Sequence, residues 1–232
     1  MKIGITTSSF TGLETETALS KLNGAGAQVC GAELKTFYEY RPEFAKQYAS
    51  AADGVEINSV SVASQNFEHQ LFDERRRVRG DGFYWLDQVM RSAQLFGAKY
   101  YVFRGCPQNS AYDAVAERLR EISGFCSRYG VTLCLENDPH GLCCCPGIFG
   151  ALKQRCQSIA AVFNYGKAKN SCYPYQTYLV EMGAHLAEVR LDADENCAEV
   201  IGNLKKQGFD GAVLLDTGRD PAQAIGYIKS II

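Results

Sequence analysis

The chain has 232 residues, 46% of them hydrophobic, with 24 Lys and Arg against 26 Asp and Glu and a formal net charge of -2. No Pro/Gly/Ser-rich linker or charge block divides it, so one domain over residues 1–232 is expected. The charge balance gives no overall attraction to nucleic acid or anionic membrane, no apolar run approaches the ~18 residues of a membrane span, and the opening Met-Lys-Ile-Gly-Ile runs into a strand rather than a signal peptide, so a cytoplasmic protein is expected.

Residues 2–7 (KIGITT) read as a short apolar strand, followed by helical spacing over residues 14–22 that Gly24 and Gly26 end. Residues 27–34 read as a second strand and residues 42–52 as a helix with Pro42 in its first turn. Residues 54–63, rich in β-branched side chains, form a third strand. A polar connection over residues 64–79 precedes a helix over residues 81–96 whose apolar set is Phe83, Leu86, Val89, Met90, Ala93 and Phe96. Residues 99–103 make the fourth strand and residues 111–129 a helix. The run VTLCLENDPH, residues 131–140, is the fifth strand: its apolar residues stop abruptly at Glu136, Asn137 and Asp138, as in a strand buried on both faces that delivers polar groups at its end. A short helix over residues 148–157, a sixth strand at 159–163, a helix at 175–182 and a seventh strand at 185–191 follow. A helix over residues 195–207 is capped by Gly208, residues 211–216 give the eighth strand, and residues 221–230 the last helix.

Eight strands, each followed by a helical segment, fit a parallel eight-stranded (β/α)₈ TIM barrel. A doubly wound open sheet is the second choice, disfavoured because Ser8-Ser9-Phe10-Thr11-Gly12 follows the first strand where a glycine-rich phosphate loop would stand. In a barrel the active site lies at the C-terminal strand ends. Those ends are unusually polar: Thr6 to Phe10, Glu33 and Lys35, Ser64 to Asn66, Arg104, Glu136 and Asn137, Asn164 and Lys167, Arg190 and Asp192, and Asp216.

The ten cysteines mostly sit singly in apolar elements and are expected as reduced thiols. The run Cys143-Cys144-Cys145 with His140 invites a metal reading, but adjacent cysteines do not readily converge on one ion and no second pair completes a tetrahedral set, so loop thiols are expected. The charged run over residues 73–79 (DERRRVR) reads as a solvated helix start, with a phosphate or carboxylate clamp as the alternative. Phe10 and the Phe37 to Tyr40 stretch either wall the pocket or pack against a helix.

The segments AQLFGAKYYV (residues 93–102), GVTLCLEN (residues 130–137) and LKKQGFDGAVLLD (residues 204–216) resemble, in the right order, signatures of the xylose isomerase-like superfamily, the sugar phosphate isomerase/epimerase and endonuclease IV group. The resemblance implies a divalent metal (Mn, Mg, Zn or Co) held by Glu, Asp, His and Glu on strands five to eight, acting as a Lewis acid on a hydroxy-carbonyl substrate. Glu136 matches the first ligand and Asp216 is a one-carbon-shorter version of the last, while Asn164 and Arg190 replace the Asp and the His. Arginine has no lone pair for a metal, so the expectation is a metal position emptied and closed by salt bridges, with no cofactor required.

The function implied is an isomerase or epimerase of carbohydrate metabolism whose partner is a small sugar, sugar phosphate or hydroxy-keto acid. Glu136 would serve as base or metal ligand, Asp216 would stand opposite, and Lys167 or Arg190 would act as electrophile for an enediolate. Asn137, His140, Asn164, Gln65, Arg104 and Phe10 are the candidate substrate-binding residues. The alternative is a non-catalytic carbohydrate- or metabolite-binding or regulatory descendant that kept the barrel while its metal ligands drifted. The oligomeric state is open.

Overall fold

Parallel strands β1 (Lys2–Thr6), β2 (Val29–Leu34), β3 (Glu56–Val62), β4 (Tyr100–Phe103), β5 (Thr132–Glu136), β6 (Ala160–Asn164), β7 (Leu186–Leu191) and β8 (Ala212–Leu215) pair in chain order and close, β8 on β1, into a barrel. This is a computed structural model, and it describes residues 1–63, 66–105, 111–194 and 196–232. Helices α1 (Thr15–Ser20), α2 (Pro42–Ala52), α3 (Arg76–Phe96), α4 (Tyr112–Ser127), α5 (Ile148–Arg155), α6 (Tyr165–Lys169), α7 (Tyr175–Met182), α8 (Cys197–Lys206) and α9 (Pro221–Ile231) run between and after the strands. The expected (β/α)₈ architecture is therefore present, and the open sheet is excluded by closure. Among the described residues no helix is long and apolar enough to cross a membrane.

Alternation along each strand sorts the core into two zones. One face supplies Ile3, Ile5, Tyr101, Phe103, Leu133, Leu135, Phe163, Val189 and Leu215 to a large cluster shared with the apolar stripes of the helices. The other face lines the barrel interior with Val29, Val102, Cys134, Val162 and Leu214, and these form smaller, separate clusters. Polar side chains share that interior: Glu188 lies level with Val162 and Ala212, and Arg190 with Leu214. Gly31 shows how tight it is there: a Cβ would stand 3.0 Å from Leu214 Cδ1 and 3.1 Å from Ser59 Oγ.

Three local features differ from the sequence expectation. Helix α3 starts at Arg76 rather than at residue 81, so the last four residues of the charged run, 76–79, form its first turn. A 3-10 turn, Glu68–Phe72, interrupts the polar connection before it. Helix α6 was not expected at all: five residues are too short for a hydrophobic period, and the helix is set instead by the Asn164 side chain accepting from the Lys167 N–H at its N-terminus.

Candidate functional site

The ends of β4, β6 and β7 converge on Glu136, whose side chain is fully buried at the end of β5. Its Oε2 accepts from Arg104 Nε at 2.9 Å and Lys167 Nζ at 2.6 Å. Its Oε1 accepts from Asn164 Nδ2 at 3.1 Å and Arg190 Nη1 at 3.2 Å. Burial alone would push this carboxyl up, but Lys167, Arg190 and Arg104 together hold it well below the usual carboxylate range. It is a permanent anion at the centre of a cationic ring.

Arg190 is itself buried, and its Nε bonds Glu188 Oε1 at 2.9 Å while Nη1 reaches Glu136. Burial disfavours its charge, but the Glu136 and Glu188 carboxylates outweigh that and raise its pKa above the ordinary guanidinium value. Glu188 Oε2 in turn accepts from Asn58 Nδ2 at 2.9 Å. Arg104 continues the chain on the other side, with Nη1 3.7 Å from Glu33 Oε1. Lys167 binds both Glu136 and Asp138, at 2.6 Å and 2.5 Å. A ladder of alternating charge thus climbs the barrel interior from Asn58 and Glu188 through Arg190, Glu136 and Arg104 to Glu33.

Asp216 closes the ring under different conditions. It is half-buried, and its Oδ1 accepts from Ser8 Oγ at 2.8 Å and Thr6 Oγ1 at 3.1 Å. Among the described residues its Oδ2 has a single long contact, 3.4 Å from Asn164 Nδ2, which leaves lone pairs free of those residues. Asn164 therefore joins the two carboxylates through its amide NH₂ while its Oδ1 caps α6. That cap places Lys167 one turn on, over Glu136.

Of the residues expected from the sequence, Glu136, Asp216, Arg190, Lys167, Asn164 and Arg104 come together in one network. Asn137 is adjacent but spends its amide on β6, donating to Asn164 O at 2.9 Å and accepting from Asn164 N at 2.6 Å, so it clamps the strand pair rather than facing a ligand. Phe10 is only 8% exposed and belongs to the large core cluster, in line with the packing alternative of its two readings. The His140 ring is exposed on the loop after β5, outside the network, and its backbone N–H donates to Asp138 Oδ1. Gln65 lies outside the described residues.

Sequence reasoning passed over Glu188 and Asn58. The available signal was a charged residue inside a buried strand, two positions before Arg190 and so on the same face. It also gave no role to Thr6, Ser8 or Asp138, whose bonds exist only across strands and loops.

As a donor set for a divalent cation, Glu136, Asn164, Arg190 and Asp216 do not fit. The guanidinium offers no lone pair, and both oxygens of Glu136 are already bonded to cations or amide. Among the described residues no group of three or more His, Cys, Asp or Glu side chains is arranged to hold a metal ion.

No family model matches the chain. No curated protein matches it either. Solved structures do. A D-tagatose 3-epimerase-like protein superposes with a TM-score of 0.81 at 16% identity, covering 100% of this chain and 97% of the other. The 3-keto-D-glucoside 4-epimerase of E. coli gives 0.77 at 13% identity over 100% and 98%. A D-allulose 3-epimerase from Methylomonas sp., solved in complex with D-allulose, gives 0.78 at 9% identity over 100% and 97%. At these identities the likeness is one of fold: the chain is a (β/α)₈ barrel of the kind found in sugar isomerases and epimerases.

Proposed function

We propose that this protein handles a small sugar or related hydroxy-carbonyl compound at the C-terminal mouth of the barrel, by isomerase- or epimerase-type proton transfer that needs no metal. The observation that carries the reading is the buried Arg190 guanidinium, 3.2 Å from Glu136, at the strand-seven position where the resembled family places a histidine ligand. Fixed cations there supply the positive field that a metal would otherwise provide to a developing enediolate.

The roles divide by burial and by free lone pairs. Glu136, saturated by donors, frames the cations and is a poor base. Asp216, half-buried with Oδ2 largely open, is the group placed to take a proton from the carbon beside a carbonyl. Lys167 and Arg104, whose side chains are 23% and 12% exposed, are the cations placed to meet the substrate oxygen. A cytoplasmic setting belongs to the same reading, supported by cysteines that stand as free thiols among the described residues.

The test is solvent deuterium exchange into a panel of ketoses, aldoses and hydroxy-keto acids, run on protein treated with EDTA. The expected outcome is deuterium at the carbon next to the carbonyl of at least one compound, unchanged by chelation and lost in Asp216→Asn. Exchange that appears only with added metal overturns the metal-free reading. A second reading, a non-catalytic sugar binder, is favoured by the same saturation of Glu136; it predicts ligand-induced thermal stabilisation with no exchange for any compound.

A further inference from the structure

Glu68 lies outside the ionic ring, yet it is buried and bonded to the strand end that carries Arg104. It sits on the 3-10 turn Glu68–Phe72 that follows β3. Its Oε1 accepts from Tyr101 O–H, on β4, at 2.9 Å, and its Oε2 accepts from Gly105 N, just past β4, also at 2.9 Å. The Gly105 N–H and the Arg104 C=O belong to one peptide unit. Its other end is held as well, because Arg104 O accepts from Leu142 N, on the loop after β5, at 2.7 Å. The peptide that leads out of Arg104 is therefore clamped between Glu68 and that loop.

The clamp fits closely. Gly105 has a φ of +59°, and a Cβ there would stand 2.8 Å from Phe103 Cε1; a Cβ on Gly141 would stand 2.7 Å from Arg104 O. With this peptide fixed, the direction in which the Arg104 Cα sends its side chain is fixed too. From there Nε reaches Glu136 Oε2 at 2.9 Å, and Nη1 lies 3.7 Å from Glu33 Oε1.

Glu68 is the one member of the clamp that can change its charge. The titratable and charged groups that face it, among the described residues, are Tyr101 from β4, Arg104 after β4 and Tyr40 from the segment before α2. Burial raises its carboxyl to about 7, and the Gly105 N–H, the Tyr101 O–H and the Arg104 charge offset only part of that rise. A carboxylate holds an N–H roughly twice as strongly as a neutral acceptor does, so the grip on the Arg104–Gly105 peptide depends on whether Glu68 carries its proton.

We propose that Glu68 is a positioning residue for Arg104: ionised, it holds the Arg104–Gly105 peptide tightly and sets the guanidinium against Glu136, and protonated, it loosens that hold. The consequence is a cationic site that is best ordered above neutral pH. That Arg104 there meets a substrate oxygen rests on the function proposed above; its coupling to Glu68 does not.

The full chain is isotope-labelled, and the Arg104 Nε–H signal, identified by its loss in Arg104→Lys, is followed by NMR from about pH 5 to about pH 9. Wild type is expected to show a one-proton transition in that signal with its midpoint near 7. The transition should be absent in Glu68→Gln. In Tyr101→Phe, which removes a bond that lowers the carboxyl, the midpoint should move upward, and this variant carries the test if Glu68→Gln does not fold. A signal that stays flat across the range, as a purely structural Glu68 predicts, a transition that persists in Glu68→Gln, or a midpoint unmoved in Tyr101→Phe overturns the proposal. No sugar is added, so this result and the solvent-exchange result can each fail without the other.

Discussion

Two fully buried carboxylates in this molecule sit under opposite rules. Glu136, inside the barrel, accepts from Arg104, Lys167, Asn164 and Arg190, and its pKa is held well below the usual carboxylate range. Glu68, between β4 and the helical layer, accepts from neutral donors, among the described residues Tyr101 Oη and Gly105 N, both at 2.9 Å, and the nearby Arg104 charge lowers its pKa by less than burial raises it. Burial dominates there, and its pKa rises from 4.5 to about 7. Equal burial gives opposite charge behaviour because cations stabilise the ionised form and neutral donors do not compensate fully for lost water.

The largest expected effect follows from breaking the cationic ring. Glu136→Gln leaves Arg190 and Arg104 facing an amide in a dry interior, and should cost about 3–5 kcal/mol in urea unfolding. A loss below about 1 kcal/mol would mean that water reaches the ring and that the ladder is not a buried network.

Glu68 gives the next effect, and its sign is opposite to that of Glu136. Its folded pKa lies above its unfolded value, so the native state holds a proton that the unfolded chain has released between pH 4.5 and about 7. Stability from this group is full in acid and falls as pH rises through that window, by about 3 kcal/mol. Glu136, lowered on folding, stabilises above the unfolded carboxylate value and loses that contribution as pH falls below it. Denaturation between pH 5 and 7.5 should therefore show a downward slope that Glu68→Gln flattens; an unchanged slope would place the titration elsewhere.

Tyr101→Phe sharpens the same contrast. It removes one of the donors on Glu68, should cost about 1–2 kcal/mol at pH 7.5, and should cost less at pH 5, where the carboxyl is protonated. The smallest stability effect is expected at Asp216. Its partners are hydroxyls and one long amide contact, so Asp216→Asn should change stability by about 1 kcal/mol or less, while removing any solvent exchange into substrate. A large stability loss there would assign Asp216 to the framework alongside Glu136.

Much of this was legible in the chain. β-branched runs, Pro42 at a first turn and Gly208 after a helix set the order of the elements, and the polar ends of those runs marked the site. Helix α6 was not legible, because a five-residue helix specified by one capping side chain has no period to read. Phe10 stayed open between two readings because an aromatic at a strand end has the same local pattern whether it turns into the mouth or under a helix.

What the sequence determined by itself was the alternation that builds a barrel and the residue types at each strand end, since both depend on local spacing and side-chain chemistry. It also carried the exclusion of arginine as a metal ligand. What only the tertiary structure decided was which charges share a space. Glu188 and Arg190 share a face of β7, but Glu136 on β5 and Arg104 just after β4 are far from them in sequence, and nothing local says that they meet. Closure of the barrel brings them within about 3 Å of one another, and at that range in a dry interior, partners rather than burial determine which carboxylate stays charged.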